Sequence, residues 1–189
     1  MRCFTILTPV KGKTTLADGI ERIVARIGRG ASYLNVLLIV IIIVDVFLRA
    51  TFSLTSVWVI ELEWHLFAII FLLGIPYALQ KDRHVRVDLF FERFSPRNRA
   101  LVNLVGGLIL LLPWSLVLLY TGWQFAAEAW TSGEGSPNPN GIPTFFPIKA
   151  IIPLAAALLF LQGLVSTLRA YAAYATGEAT DQEPQNEGA

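Results

Sequence analysis

"ASYLNVLLIVIIIVDVFL", residues 31–48, carries one acid and no base in eighteen positions. Wound as a helix at 1.5 Å per residue it is about 27 Å long, enough to cross a thin hydrocarbon core. Three further runs, 60–80, 101–123 and 148–168, are too rich in Leu, Ile, Val and Ala for surface helices. The totals agree, because 54% hydrophobic and 15% charged residues in a chain of 189 is too apolar for an ordinary soluble domain. The expectation is an all-α membrane protein with four transmembrane helices. Residues 1–30 form an N-terminal segment, 31–172 the membrane domain and 173–189 a polar tail, "GEATDQEPQNEGA" at its end, that reads as disordered. Pro76, Pro113 and Pro153 fall within or near the ends of these runs and predict kinks rather than breaks.

The same composition excludes several functions. A net charge of +1 with scattered bases offers no basic face for nucleic acid. The single cysteine, Cys3, closes no intrachain disulfide and belongs to no Cys/His metal spacing. The two histidines, His65 and His84, are expected on opposite membrane faces and so cannot share one haem iron. No nucleotide loop, nucleophile elbow or zinc-protease motif is present. Neither enzyme chemistry nor a cofactor is expected.

Lysine and arginine set the expected orientation. Six bases, Arg2, Lys11, Lys13, Arg22, Arg26 and Arg29, precede the first run, and six more follow the second, from Lys81 to Arg99. The other two connectors hold only Arg49 and Lys149 at their edges. Both basic segments, and with them both termini, are therefore expected on the cytoplasmic side. Two stretches in these segments have an apolar helical face, 16–29 and "VRVDLFFERFSPRNR" at 85–99, and read as interfacial helices lying on the lipid. Trp58, Trp64, Tyr120, Trp123 and Trp130 fit an outer aromatic belt, and Tyr33, Tyr77, Tyr171 and Tyr174 an inner one.

Five ionisable residues gather near the outer ends of the first two runs: Asp45 and Arg49, spaced to pair on a helix, and Glu61, Glu63 and His65. Charges at membrane depth pair, face water or mark an ion path. The third run has no charged residue and the fourth only Lys149 at its outer end, so a path stops halfway. The cluster reads as an interhelical or intersubunit polar clamp, with interfacial solvation and ion translocation as the alternatives. The connector before the fourth run, "GSPNPNGIPTFFPIKAIIP" at 135–153, holds five prolines and one lysine. Ordered connectors of this length are usually functional. Asn138, Pro139, Gly141, Pro143 and Lys149 are its candidate docking residues, the alternative being a connector that only returns the chain to the membrane.

At this point the residues carry a resemblance. "ELEWHLFAIIFLLGIPYALQKDRHVRVDLFFERFSPRNRALVNLVG", 61–106, is similar to the core of the small membrane subunit of tripartite ATP-independent periplasmic (TRAP) transporters. The matching features are Glu61 opening the second span, Gly74 near its end, the bases 81–83, His84 with Asp88, and Pro96 with Arg99. The second half, with "NPNGIP", "PIKA" and "LQG", resembles the branch named for mannitol or chloroaromatic compounds, departing from it at Asn140 and Ile142. The resemblance covers roughly residues 20–172.

It implies a bacterial inner-membrane, multi-pass subunit that extends the fixed scaffold of a large permease subunit. That larger partner would hold the substrate and sodium sites and move by an elevator motion. A periplasmic substrate-binding protein would deliver an organic acid, docking partly on this chain's outer connectors. The rival reading is a structural or assembly tetraspan membrane protein without a transport role.

Overall fold

The computed structural model of the chain describes residues 15–81 and 94–176. Within them lie helices α1 (Thr15–Phe52), α2 (Val57–Gln80), α3 (Pro96–Gly106), a π-helical segment (Gly107–Leu111), α4 (Leu112–Ser132) and α5 (Phe146–Thr176). α3, the π segment and α4 run on as one rod, so four rods are long and apolar enough to cross a membrane, as the sequence indicates. The described residues contain no strand.

α1 is longer than the 31–48 run. At 38 residues it spans about 57 Å, and the 16–29 stretch, expected as a helix on the lipid, is its uninterrupted first part. No proline lies between the two, and Gly28 has a packing use: a Cβ there would collide with the ring base of Tyr77 on α2. The apolar face of this stretch is partly spent on protein rather than lipid. Val24 is buried while Leu16 and Ile23 stay exposed. Glu21 pairs with Arg169 of α5 at 2.5 Å, and its backbone carbonyl accepts the amide of Gln80 at 3.0 Å. Residues 85–93 of the second amphipathic stretch lie outside the described residues, and 96–99 begin α3.

Val24, Ala31, Leu38 and Asp45, seven apart, are the buried stripe of α1, the spacing of a narrow seam between two nearly parallel rods. The rest of its circumference from Val36 to Leu48, the half-buried Ile41 aside, is exposed and apolar. α1 packs chiefly on α2, and the α3–α4 rod on α5, while α5 touches every other helix. Nearly half of the apolar stretch of α5 is buried (44%), against 17% or less in the other three rods. The chain is thus a layer with α5 inside it and α1 and the α3–α4 rod at its edges.

Small residues set the central contact. A Cβ on Gly122 would lie 2.9 Å from Ile152 and 3.2 Å from the backbone of Pro153, and one on Gly163 would lie 2.9 Å from Leu111. Such close approach is how membrane helices gain van der Waals contact without a hydrophobic drive between them. The π segment lies just before Pro113, which has no N–H to give to the carbonyl four residues back. The wide turn takes up that mismatch, with the Leu112 amide bonding to Gly107.

Candidate functional site

The connector that opens α5 is built at the same end of the layer as the start of α2. Gly133, at φ 63°, ends α4 in the left-handed conformation that glycine adopts without strain. From there the chain closes on itself: the Phe145 amide donates to the Glu134 carbonyl at 2.8 Å and the Ser136 amide to Ile142 at 2.9 Å. Asn138 to Gly141 is the closing turn, bonded at 3.1 Å, with Pro139 second and Asn140 third at φ 61°. Proline followed by a residue of positive φ is the signature of a type II turn.

This loop is fastened to one side chain. Glu61, on the second turn of α2 and 5% exposed, accepts from the Ser136 hydroxyl, from Asn138 Nδ2 at 3.2 Å and from the Ile142 backbone amide at 2.6 Å. Ser136 Oγ in turn accepts the Asn138 amide at 3.1 Å. Gly141 allows the approach, since a Cβ there would strike the Ser136 side chain and lie 2.8 Å from Glu61 Oε2. A carboxylate receiving several donors makes charge-assisted bonds, roughly twice as strong as neutral ones.

His65, one turn on, faces the same loop. Its Nδ1 lies 2.6 Å from the Glu61 carbonyl, and a carbonyl only accepts, so Nδ1 carries the proton. The ring sits between Trp64, with centroids 3.8 Å apart, and Phe145 at 5.6 Å. Nε2 of His65 and Oε1 of Glu63 are buried without a partner among the described residues. Lys149, in the first turn of α5, forms an ion pair with Glu134 and stands 3.9 Å above the Phe125 ring. Its side chain is 12% exposed, so its charge is spent inside the chain rather than offered to headgroups. Trp130 and Phe146 meet edge to face at 4.7 Å.

Of the five residues read as a clamp, the structure gathers four into two groups and leaves Glu63, half-buried, in neither. Asp45 and Arg49 pair along α1, with Asp45 buried and Arg49 about half exposed. Asp45 lines a cleft of about 560 Å³ with Leu48, Thr55 and Trp58. Glu61 and His65 belong to the loop. No hydrogen bond or ion pair joins the two groups among the described residues. Pro139 and Pro143 face outward with Asn138, whereas Gly141 is half-buried. Pro96 opens α3 behind an N-cap, Ser95, whose hydroxyl accepts the Asn98 amide at 3.4 Å, and Arg99 lies on that helix. His84 and Asp88 lie outside the described residues.

Sequence reasoning names Asn138 for docking but links none of the donors to Glu61, which stand 75 to 81 residues away. One signal was available: Gly135 and Gly141 flank Ser136 and Asn138, as a loop does when backbone must approach a neighbouring group. Among the described residues no three His, Cys, Asp or Glu side chains form a group able to hold a metal. The arrangement holds conformation. A carboxylate occupied by three donors fastens a loop to a helix, and the loop shows its prolines and Asn138 to whatever lies beyond.

Fold and site together define a multi-pass, all-α membrane protein with a tethered loop at one end of its helices. The family described as "Tripartite ATP-independent periplasmic transporters, DctQ component" matches residues 38–173. The chain belongs to this family and is a small membrane subunit of a TRAP transporter, a component of a transport system rather than a member of an enzyme family. Among curated proteins none matches it.

Proposed function

We propose that this chain extends the fixed scaffold of a large permease subunit in a bacterial inner membrane, and that its loop 133–145 forms part of the landing surface for a periplasmic substrate-binding protein. The loop faces the periplasm and both termini the cytoplasm, in keeping with the twelve bases that the sequence carries before the first run and between the second and third. The complex takes up an organic acid coupled to sodium, with the substrate and ion sites in the larger partner. This assignment, like the mannitol or chloroaromatic branch, rests on family resemblance.

The observation that carries the docking role is the tie between Glu61 and the loop. A surface ordered before its partner arrives spares the entropy of ordering it on binding. The pieces left outward, Pro137, Pro139, Asn140 and Pro143, are uncharged and stiff. Family membership favours this reading over a tetraspan assembly protein without a transport role.

The test is uptake by the reconstituted three-component system with Pro139→Glu, which leaves the cradle around Glu61 intact. Weaker binding of the periplasmic protein, seen as a higher concentration for half-maximal uptake at unchanged complex yield, supports the reading. Unchanged binding and uptake would remove the loop from the interface.

A further inference from the structure

The side of α1 turned away from α2 changes character along its length. Arg22, Arg26, Arg29 and Tyr33 recur at intervals of four, three and four, which sets them in one line that Val36, Val40 and Phe47 continue. All seven are exposed. The buried seam of Val24, Ala31, Leu38 and Asp45 lies on the other side of the helix, at 3.6 residues per turn. Asp18, one turn before Arg22, is the one acid on the line.

The three guanidinium groups are oriented but unspent. Arg22 Nε donates to the Asp18 carbonyl and Arg29 Nε to that of Ala25, both at 3.1 Å. Each bond lays the side chain along the helix and leaves its terminal N–H groups without a partner among the described residues, where Arg26 makes no bond at all. Other described bases at this end are engaged within the chain. Arg169 pairs with Glu21, Lys81 lies over the Tyr77 ring at 5.9 Å, and Arg97 over that of Tyr174 at 5.0 Å.

Depth matches the chemistry. Arg29 and Arg26 stand about 3 and 8 Å outside Ala31, where the apolar run begins, and Arg22 about 14 Å. A headgroup layer is about 5–7 Å thick on each side of the hydrocarbon, so two of the bases lie in or at it. The third stands in the surface field, which decays over about 8–10 Å.

We propose that this line binds an anionic phospholipid, whose phosphate meets Arg26 and Arg29 while an acyl chain lies along Tyr33, Val36 and Val40. The occupant follows from charge and from order. Three bases against one acid favour a negative headgroup over a zwitterionic one, and a guanidinium meets phosphate through paired N–H bonds. A soluble anionic partner would match the bases and leave their apolar continuation bare. A phospholipid carries phosphate and tail in the same succession as the helix carries arginine, tyrosine and valine. The proposal needs only a chain that spans a bilayer, so it stands apart from the subunit reading.

The test titrates the purified full chain, in an uncharged detergent, with phosphatidylglycerol or phosphatidylcholine and reads retained lipid by native mass spectrometry. The unaltered chain should favour phosphatidylglycerol by about tenfold or more, since each base near a charged surface is worth about fivefold. Arg22→Gln, Arg26→Gln and Arg29→Gln together should bring the two lipids to within about twofold of each other. The Tm of that variant in the same detergent should stay within about 2 °C, because the bonds lost are exposed ones. A photo-crosslinking amino acid in place of Tyr33, in the chain co-produced with its large permease, should capture phospholipid. Equal retention of the two lipids by the unaltered chain, or a preference that survives the triple change, overturns the site. Capture of the permease from position 33 gives this face to the partner and overturns the site too, while the subunit reading stands.

Discussion

Two glutamates stand toward the same end of this layer and live in opposite circumstances. Glu61 is buried and takes three donors from its own chain, whereas Glu128 is exposed and its carboxylate takes none among the described residues. The first makes the fold at that end, because removing it leaves hydroxyl, amide and backbone donors facing nothing. The second makes no bond to another side chain among the described residues, so the isolated chain does not depend on it. In this layer the intramolecular polar bonds mark what holds the chain together.

The sharpest way to break the comparison is Glu61→Leu. Three donors then lose their acceptor, and the Tm of the purified chain is expected to fall by roughly 5–10 °C, with new protease cleavage within 133–145. Gly141→Ala comes next: the added methyl meets Ser136 and Glu61, so a Tm fall of roughly 3–6 °C is expected in the purified chain. At the opposite end Arg169→Ala removes a half-exposed pair with Glu21, for which about 0–1 kcal/mol is expected in detergent unfolding. Glu128→Gln should have the smallest effect on the isolated chain, with a Tm unchanged within about 1 °C, because no intramolecular bond is lost. A large fall for that last variant, or none for the first, would dissolve the distinction between the two glutamates.

Much of the layer was legible in the sequence. Four apolar runs admit only helices in a bilayer, where backbone groups must be satisfied within the segment. The Asp45–Arg49 pair was legible because it is local, four residues apart on one helix. The partner of Glu61 was not, since its donors come from a loop in the other half of the chain and nothing local couples them. Lys149 shows the same limit: a basic residue at a membrane edge reads as facing headgroups, yet Glu134 and the Phe125 ring take up its charge. The join between the 16–29 stretch and the first span also eluded the pattern. Amphipathicity reports an apolar face, and lipid and the neighbouring α2 and α5 look alike to it.

The tie between α2 and the loop is tested most directly by hydrogen exchange at the Ile142 amide, whose acceptor is the Glu61 carboxylate rather than another backbone group. Protection in the unaltered chain that is lost in Glu61→Leu, with the exchange of α5 unchanged, is the expected result. Equal exchange of Ile142 in the two proteins would contradict it and leave the loop without its anchor.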